Sequence, residues 1–385
     1  MSLKTKLLKT LFREPFLKKN VIILESCPDF DGNPMMLERE IERLFPDKYR
    51  FFWAVDKHCE KKTTERTIAF WGGLSLFEKI RKYYYLAKTK LILDSNRPVL
   101  KFNPETLRVY TRHGGTFKKC DKYLHSVGEA DYILTLSDSL ADIDFGVMNG
   151  FSVSRREQIL PLGYPLHDIL FEDFDLYRCG LLKEPRYQKI VGWLPTFRQH
   201  KNNDSSISLE TAKEFSLPLI ENVEDFNRIN DIFASKNSLL IVQLHHSQIS
   251  SLPAKTYSNI LFLTQEQKDK YGIKNMNLLH CFDAMITDYS GAYYEFLLLD
   301  RPIALTIDDY EEYATKIGFY IDYQRLVQGE RLSKIEDLEV FVNHVVSGED
   351  VCRDKRASIL PLVHNFPDNQ SSRRIVDFIN SKIDL

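Results

Sequence analysis

The sequence predicts an α/β protein of two Rossmann-like domains, each on a parallel sheet, facing one another across a cleft. Three observations predict it. Short apolar runs alternate with helical patterns along most of the 385 residues, which is the rhythm of a parallel α/β sheet. The rhythm pauses at a polar segment near 171–187 and then restarts. The length suits two cores of about 150 to 200 residues rather than one.

The elements follow in order. Residues 1–20 place Leu3, Leu7, Leu8, Leu11 and Phe12 at helical spacing, with Lys4, Lys6, Lys9, Arg13, Lys18 and Lys19 among and after them. That pattern suits a basic amphipathic helix lying on an anionic membrane surface. The first domain is expected over 21–180, with strands at VIILES (21–26), RFFWAV (50–55), KLILDS (90–95), RVYT (108–111), YILTLS (132–137) and ILPLG (159–163). Within it, FEKIRKYYYLAKTK (77–90) reads either as a second membrane contact or as an amphipathic helix packed on the domain. The second domain is expected over 181–385, with strands at KIVGWLP (189–195), SLLIVQL (238–244), NILFLT (259–264), AMIT (284–287) and PIALT (302–306). The polar stretch RQHKNNDSSISLE (198–210) suggests an exposed loop beside the cleft. Two helical patterns, KIEDLEVFVNHVVSG and SSRRIVDFINSKI, finish the chain.

Composition narrows the function. The chain is 43% hydrophobic and 28% charged, and no apolar run approaches the roughly 20 residues needed to cross a bilayer. The lysines that interrupt the first leucines argue against a signal peptide. A cytoplasmic protein, peripheral at the inner face of the membrane, is expected. Six cysteines lie far apart without a C-x-x-C pair, which argues for reduced thiols and against a zinc site. A net charge of −2 gives no global reason to bind nucleic acid. The Walker, dinucleotide and nucleophile-elbow glycine motifs are missing. DFD occurs at 29–31 and again at 173–175, but chance explains so short a match in so charged a chain, and no metal is expected.

Ligands of such sheets bind beyond the carboxyl ends of the strands, so the residues there carry the chemistry. TRHGGTFKK (111–119) presents His113, a residue able to take a proton near neutral pH, before two glycines that let the backbone approach a ligand. It is equally readable as a structural histidine before a turn. WLPTFRQ presents Thr196 and Arg198, and an arginine fork suits phosphate oxygens. VQLHHSQ presents His245 and His246, and ITDYSG presents Asp288, Tyr289 and Ser290 ahead of a helix amino end, where N–H groups lack partners. Together these favour an anionic ligand such as a diphosphate.

The order DSNRP, RHGGTFKK, GYPLHD, LPTFR, LHH, LLHCFDAMITDYSGAYYEFLLLDRP, DDYEEY and GFYIDY resembles the CDP-glycerol glycerophosphotransferases of teichoic acid synthesis. ESCPDFDGNP is similar to that family's early strand and Asn-Pro turn, so the likeness covers about residues 21–325, and 284–302 is its most specific part. The resemblance implies a GT-B-like fold on a peripheral membrane enzyme. It implies a CDP-glycerol or CDP-ribitol donor, a lipid-linked (polyprenyl diphosphate) saccharide acceptor, release of CMP, and no required cofactor. By the same resemblance His113 is the base. Thr196, Arg198, His245, Thr287, Asp288, Ser290 and Gly291 bind the donor, and Asn33, Gly114, Gly115, Thr116 and Lys118 are candidate acceptor or phosphate contacts.

Three departures stand out. The family usually reads Trp-His-Gly-Thr-Pro-Leu-Lys where this chain has RHGGTFK, Lys-x-His-Pro where it has QLHH, and Gly-x-Pro-Arg-Asn-Asp where it has GYPLHD, with Leu166 at the arginine. These spare both histidines and leave the acceptor and the alditol open. Two rival readings share the fold: a glycosyltransferase using a nucleotide sugar, and a catalytically silent membrane adaptor.

Overall fold

The computed structural model describes residues 19–60, 63, 65–114, 117–119, 127, 130–149, 152–196, 215, 217–243 and 255–385. The chain divides into two units. Unit 1 takes in Met1–Gly115, Cys120–Asp168 and His364–Leu385, and unit 2 takes in Thr116–Lys119 and Ile169–Val363.

Unit 1 is built on β1 (Val21–Glu25), β2 (Arg50–Asp56), β3 (Thr67–Trp71), β4 (Thr89–Asp94), β5 (Leu107–Tyr110), β6 (Tyr132–Leu134) and β7 (Ile159–Leu160). They lie in the order β3-β2-β1-β4-β5-β6-β7, and every pair is parallel. A parallel sheet is covered on both faces, which is why β1 reads as an unbroken apolar run, buried throughout. Helices α1 (Gly32–Leu44), α2 (Leu76–Ala87) and α3 (Asp138–Met148) make the described helical connections. Each begins on a side-chain cap: Asp31 accepts from Gly32 N at 2.8 Å, Ser75 and Glu78 cap reciprocally, and Ser137 accepts from Leu140 N at 3.2 Å.

Unit 2 is built on β8 (Lys189–Leu194), β9 (Ser238–Gln243), β10 (Ile260–Leu263), β11 (Ala284–Thr287), β12 (Ile303–Leu305) and β13 (Glu330–Arg331). Their order is β10-β9-β8-β11-β12-β13, again all parallel. Around them lie α4 (Val223–Ser235), α5 (Gln265–Tyr271), α6 (Asn275–His280), α7 (Ala292–Leu297), α8 (Tyr310–Lys316), α9 (Tyr323–Leu326), α10 (Ile335–Ser347) and α11 (Arg353–Val363). One core joins Val191 and Trp193 of β8 to Phe226 and Phe233 of α4 and Phe341 of α10. Gly192 is obligatory between the first two, since a Cβ there would lie 2.0 Å from the Phe282 ring.

The order in which strands are added reverses between β1 and β4 in unit 1, and between β8 and β11 in unit 2. Such reversals open a crevice at the carboxyl ends. The strand ends read from sequence therefore lie at or next to the reversal in both units.

The structure differs from the sequence reading in three places. Strands β3 and β13 were missed, because both are edge strands, one following a charged stretch and the other only two residues long. Strand β7 stops at Leu160 because Pro161 offers no N–H to the ladder. The last helix, α12 (Ser371–Ile383), belongs to unit 1 rather than to the domain expected over 181–385. Asp168 explains it, accepting from Ser371 N at 2.9 Å and Ser372 N at 2.8 Å and so capping α12. Gly163, at φ 84°, lets α12 approach, for a Cβ there would meet Ser371 Oγ at 2.7 Å.

Desolvation raises the half-buried Glu295 of α7 from the ordinary carboxyl value to about 7. A raised carboxyl pKa means that the folded state holds its proton more tightly than the unfolded chain, so stability falls as pH rises from about 4.5 to about 7. Glu295→Gln is expected to gain about 1 to 3 kcal/mol over the parent at pH 8 relative to pH 5, measured by denaturant unfolding. An equal difference at both pH values would contradict this.

Candidate functional site

In unit 1, β5 runs out into Thr111, Arg112 and His113. Thr111 N donates to Asp94 O at 2.6 Å, which carries the ladder one residue further. Asn33, expected as an acceptor or phosphate contact, is instead buried and fully engaged in holding this turn. Its Nδ2 donates to Thr111 O at 2.8 Å and Arg112 O at 2.9 Å, and its Oδ1 accepts from Leu166 N at 2.9 Å. Arg112 then adopts a left-handed backbone, φ 60°, and turns its guanidinium inward onto Asp144 at 2.9 and 3.1 Å. Thr135 Oγ1 donates to the same carboxylate at 2.8 Å. Burial works against the guanidinium charge, yet Asp144 raises its pKa above the ordinary value.

This geometry aims His113. The ring is exposed, with Nδ1 3.1 Å from Ser95 O. A carbonyl can only accept, so Nδ1 carries the proton and Nε2 is the basic atom of the neutral ring. Ser95 is itself fixed. Its N–H and that of Asn96 donate to the Glu25 carboxylate at 3.2 and 2.9 Å, and burial pushes Glu25 up to about 7. On the other side, Tyr164 OH donates to Gly114 O at 3.3 Å, and burial pushes its phenol up to about 12, so it remains a donor at neutral pH.

In unit 2, the ends of the adjacent strands β8 and β11 are joined by one carboxylate. Asp288 is completely buried and accepts from Thr196 N at 2.9 and 3.0 Å and from Thr196 Oγ1 at 2.5 Å. Thr287 Oγ1 adds a bond to Leu194 O at 3.0 Å. Tyr289 points inward, donating to Asp309 at 2.7 Å and stacking on Tyr313 with ring centroids 3.8 Å apart. Phe319 and Tyr323 complete the cluster, and Tyr323 OH donates to Asp288 O at 3.2 Å. The motifs DDYEEY and GFYIDY thus meet around the tyrosine of TDYSG. Ser290 and Gly291 remain half-buried, with Ser290 Oγ accepting from Ala292 N at 3.3 Å at the start of α7.

The structure therefore brings Thr196, Thr287, Asp288, Ser290 and Gly291 together in unit 2, and Asn33, His113 and Gly114 in unit 1. Lys118 pairs as a bridge with Phe319 in unit 2. Gly115, Thr116, Arg198 and His245 lie outside the described residues, as do residues 1–18 of the amino-terminal segment. Sequence reading missed Glu25, Asp144 and Tyr164, whose roles come from pairings across 32 to 70 positions that no local spacing announces. Among the described residues no cluster of three or more His, Cys, Asp or Glu is placed to hold a metal ion. No described helix is long and apolar enough to cross a membrane.

Comparison with known proteins gives this geometry a context. The family model described as CDP-Glycerol:Poly(glycerophosphate) glycerophosphotransferase matches residues 7–381. The teichoic acid poly(glycerol phosphate) polymerase of Bacillus subtilis (strain 168) is 23% identical over 360 residues, covering 86% of this chain and 45% of the relative. The teichoic acid ribitol-phosphate polymerase TarK of Staphylococcus aureus (strain NCTC 8325 / PS 47) is 23% identical over 384 residues, covering 94% of this chain and 68% of the relative. The chain thus spans about half the length of the first and about two thirds of the second. The structure of the wall teichoic acid polymerase TagF has the same fold, with a TM-score of 0.71 at 17% identity over 99% of this chain and 93% of that one. With two Rossmann-like units in a GT-B-like fold and a family match from residue 7 to residue 381, the chain belongs to the CDP-glycerol glycerophosphotransferase family.

Proposed function

We propose that this chain transfers glycerol phosphate or ribitol phosphate from a CDP-alditol to a hydroxyl of a lipid-linked saccharide or growing polymer, releasing CMP, at the cytoplasmic face of a membrane. The observation that carries the reading is the orientation of His113, exposed at a strand end with its proton on Nδ1 and its basic nitrogen left as Nε2. Family membership supplies the donor class.

In this reading unit 1 supplies the base. Nε2 of His113 takes the acceptor hydroxyl's proton while that oxygen attacks the alditol-bearing phosphorus. The bond from that phosphorus to the bridging oxygen breaks, and the bridging oxygen leaves with CMP. Unit 2 supplies donor contacts, with Ser290 and Gly291 beside the diphosphate and Arg198 and His245 as its cationic and polar partners, while the buried Thr287 ties the end of β11 to β8 through Leu194 O. Asp288 acts through Thr196, holding the loop rather than touching the nucleotide. Phosphoryl transfer of this kind gains most from positioning and from donors that offset phosphate charge, and asks little covalent work of the protein. No metal is needed in this scheme.

Two outcomes follow. His113→Ala is expected to lower turnover by about two to four orders of magnitude with donor affinity unchanged in calorimetry; lost affinity with unchanged turnover of bound donor would make His113 a binding residue. Arg198→Ala, His245→Ala and Ser290→Ala are each expected to weaken CDP-glycerol binding, and Arg198→Lys to restore it only in part, because a point charge cannot reproduce two parallel hydrogen bonds. Parent-like affinity in all three alanine variants would remove the donor from this end of unit 2.

A further inference from the structure

We infer that the outer face of α2 is the surface by which the protein lies on an anionic phospholipid bilayer, an inference that rests on the membrane-surface reading above and names the face that performs it. The helix is finished on its inner side. Glu78 is tied to Ser75 N and Oγ at 2.9 and 2.8 Å and lies 3.5 Å from Lys57, Lys82 Nζ donates to Phe70 O at 3.1 Å, and Tyr85 packs on Phe52 at 4.3 Å. What it turns outward is apolar. Leu76 is 73% exposed, Phe77 74%, Ile80 40% and Tyr84 36%.

At about 100° per residue, positions 76, 77, 80 and 84 fall within an arc of about 100°, so these four side chains form one stripe. An ordinary surface helix carries its apolar stripe inward; this one carries a second stripe outward. Lys79 flanks it on one side, and Arg81 and Lys88 flank it on the other. The helix's one acid, Glu78, is on the inner side, so the outward face has charge of a single sign. Leu100, 72% exposed, stands between Val99 and Phe102, and Phe102 packs on Tyr83 of the same helix. An apolar stripe edged by cations fits the boundary of an anionic bilayer, where side chains enter the acyl region and lysines and arginines meet phosphates. Tyr84, with Lys88 Nζ 3.4 Å from its hydroxyl, is the amphipathic pair that such a boundary favours.

The test uses full-length protein and vesicles of phosphatidylcholine with or without phosphatidylglycerol. The parent is expected to sediment with the anionic vesicles and to be released by salt. Phe77→Glu/Ile80→Glu and Lys79→Glu/Arg81→Glu are each expected to lower partitioning about tenfold or more, while calorimetry finds CDP-glycerol binding unchanged. In Phe77→Trp the new indole is expected to emit as in water without lipid and to shift to the blue with anionic vesicles. Parent-like sedimentation of both charge variants overturns the inference yet leaves the membrane reading standing on another surface, such as residues 1–18. Failure of the parent to sediment overturns both. An indole already blue-shifted and shielded from iodide without lipid, or self-association abolished by Phe77→Glu/Ile80→Glu, also overturns it, giving the face to the chain's own segment or to a second copy.

Discussion

Arg112 holds a backbone conformation that its side chain disfavours, and a buried ion pair is what keeps it there. A left-handed residue other than glycine costs about 1 to 2 kcal/mol, whereas stranding one member of a buried pair costs about 3 to 5 kcal/mol. The pair prevails. With the guanidinium fixed on Asp144 and the two carbonyls around it held by Asn33, the next residue can only leave the turn in one direction. That residue is His113. Unit 2 uses a related device, since the buried Asp288 carboxylate must be satisfied and the Thr196 end of β8 donates to it through both its N–H and its hydroxyl.

Both devices concern positioning rather than chemistry. A side chain three residues past the end of β5 would ordinarily sample many directions, and each unfixed rotor would weaken the advantage of holding reactants in place. Here Ser95, Glu25 and Tyr164 add further constraints from three separate stretches of the chain. The turn ahead of His113 is secured by the charge pair of Arg112 with Asp144. The aromatic cluster around Tyr289 gives the unit 2 turn its own floor, built from Tyr313 of α8, Tyr323 of α9 and Phe319 between them.

Much of the fold was legible because parallel strands buried on both faces are apolar without interruption, as in VIILE and AMIT. The legibility failed at the sheet edges, where β3 follows a charged stretch and β13 is only two residues long, and where the chain returns to its first unit. Nothing local in SSRRIVDFINSKI says which sheet it covers; Asp168, 203 positions earlier, decides it. The candidate site was legible to the extent that residues at strand ends are polar for a reason. Sequence could mark Asp288 and Asn33 as significant, but not distinguish a side chain that meets a ligand from one that holds the loop, because that depends on partners 92 and 133 positions away.

The central claim is that this scaffold moves an alditol phosphate and not a sugar. Purified protein would be given CDP-glycerol, CDP-ribitol and a panel of nucleotide sugars in turn, with a polyprenyl diphosphate-linked saccharide as acceptor, and products followed by mass spectrometry. One equivalent of CMP for each glycerol phosphate or ribitol phosphate appended is the predicted result. Release of a nucleoside diphosphate with transfer of a sugar, and no reaction with either CDP-alditol, would contradict it.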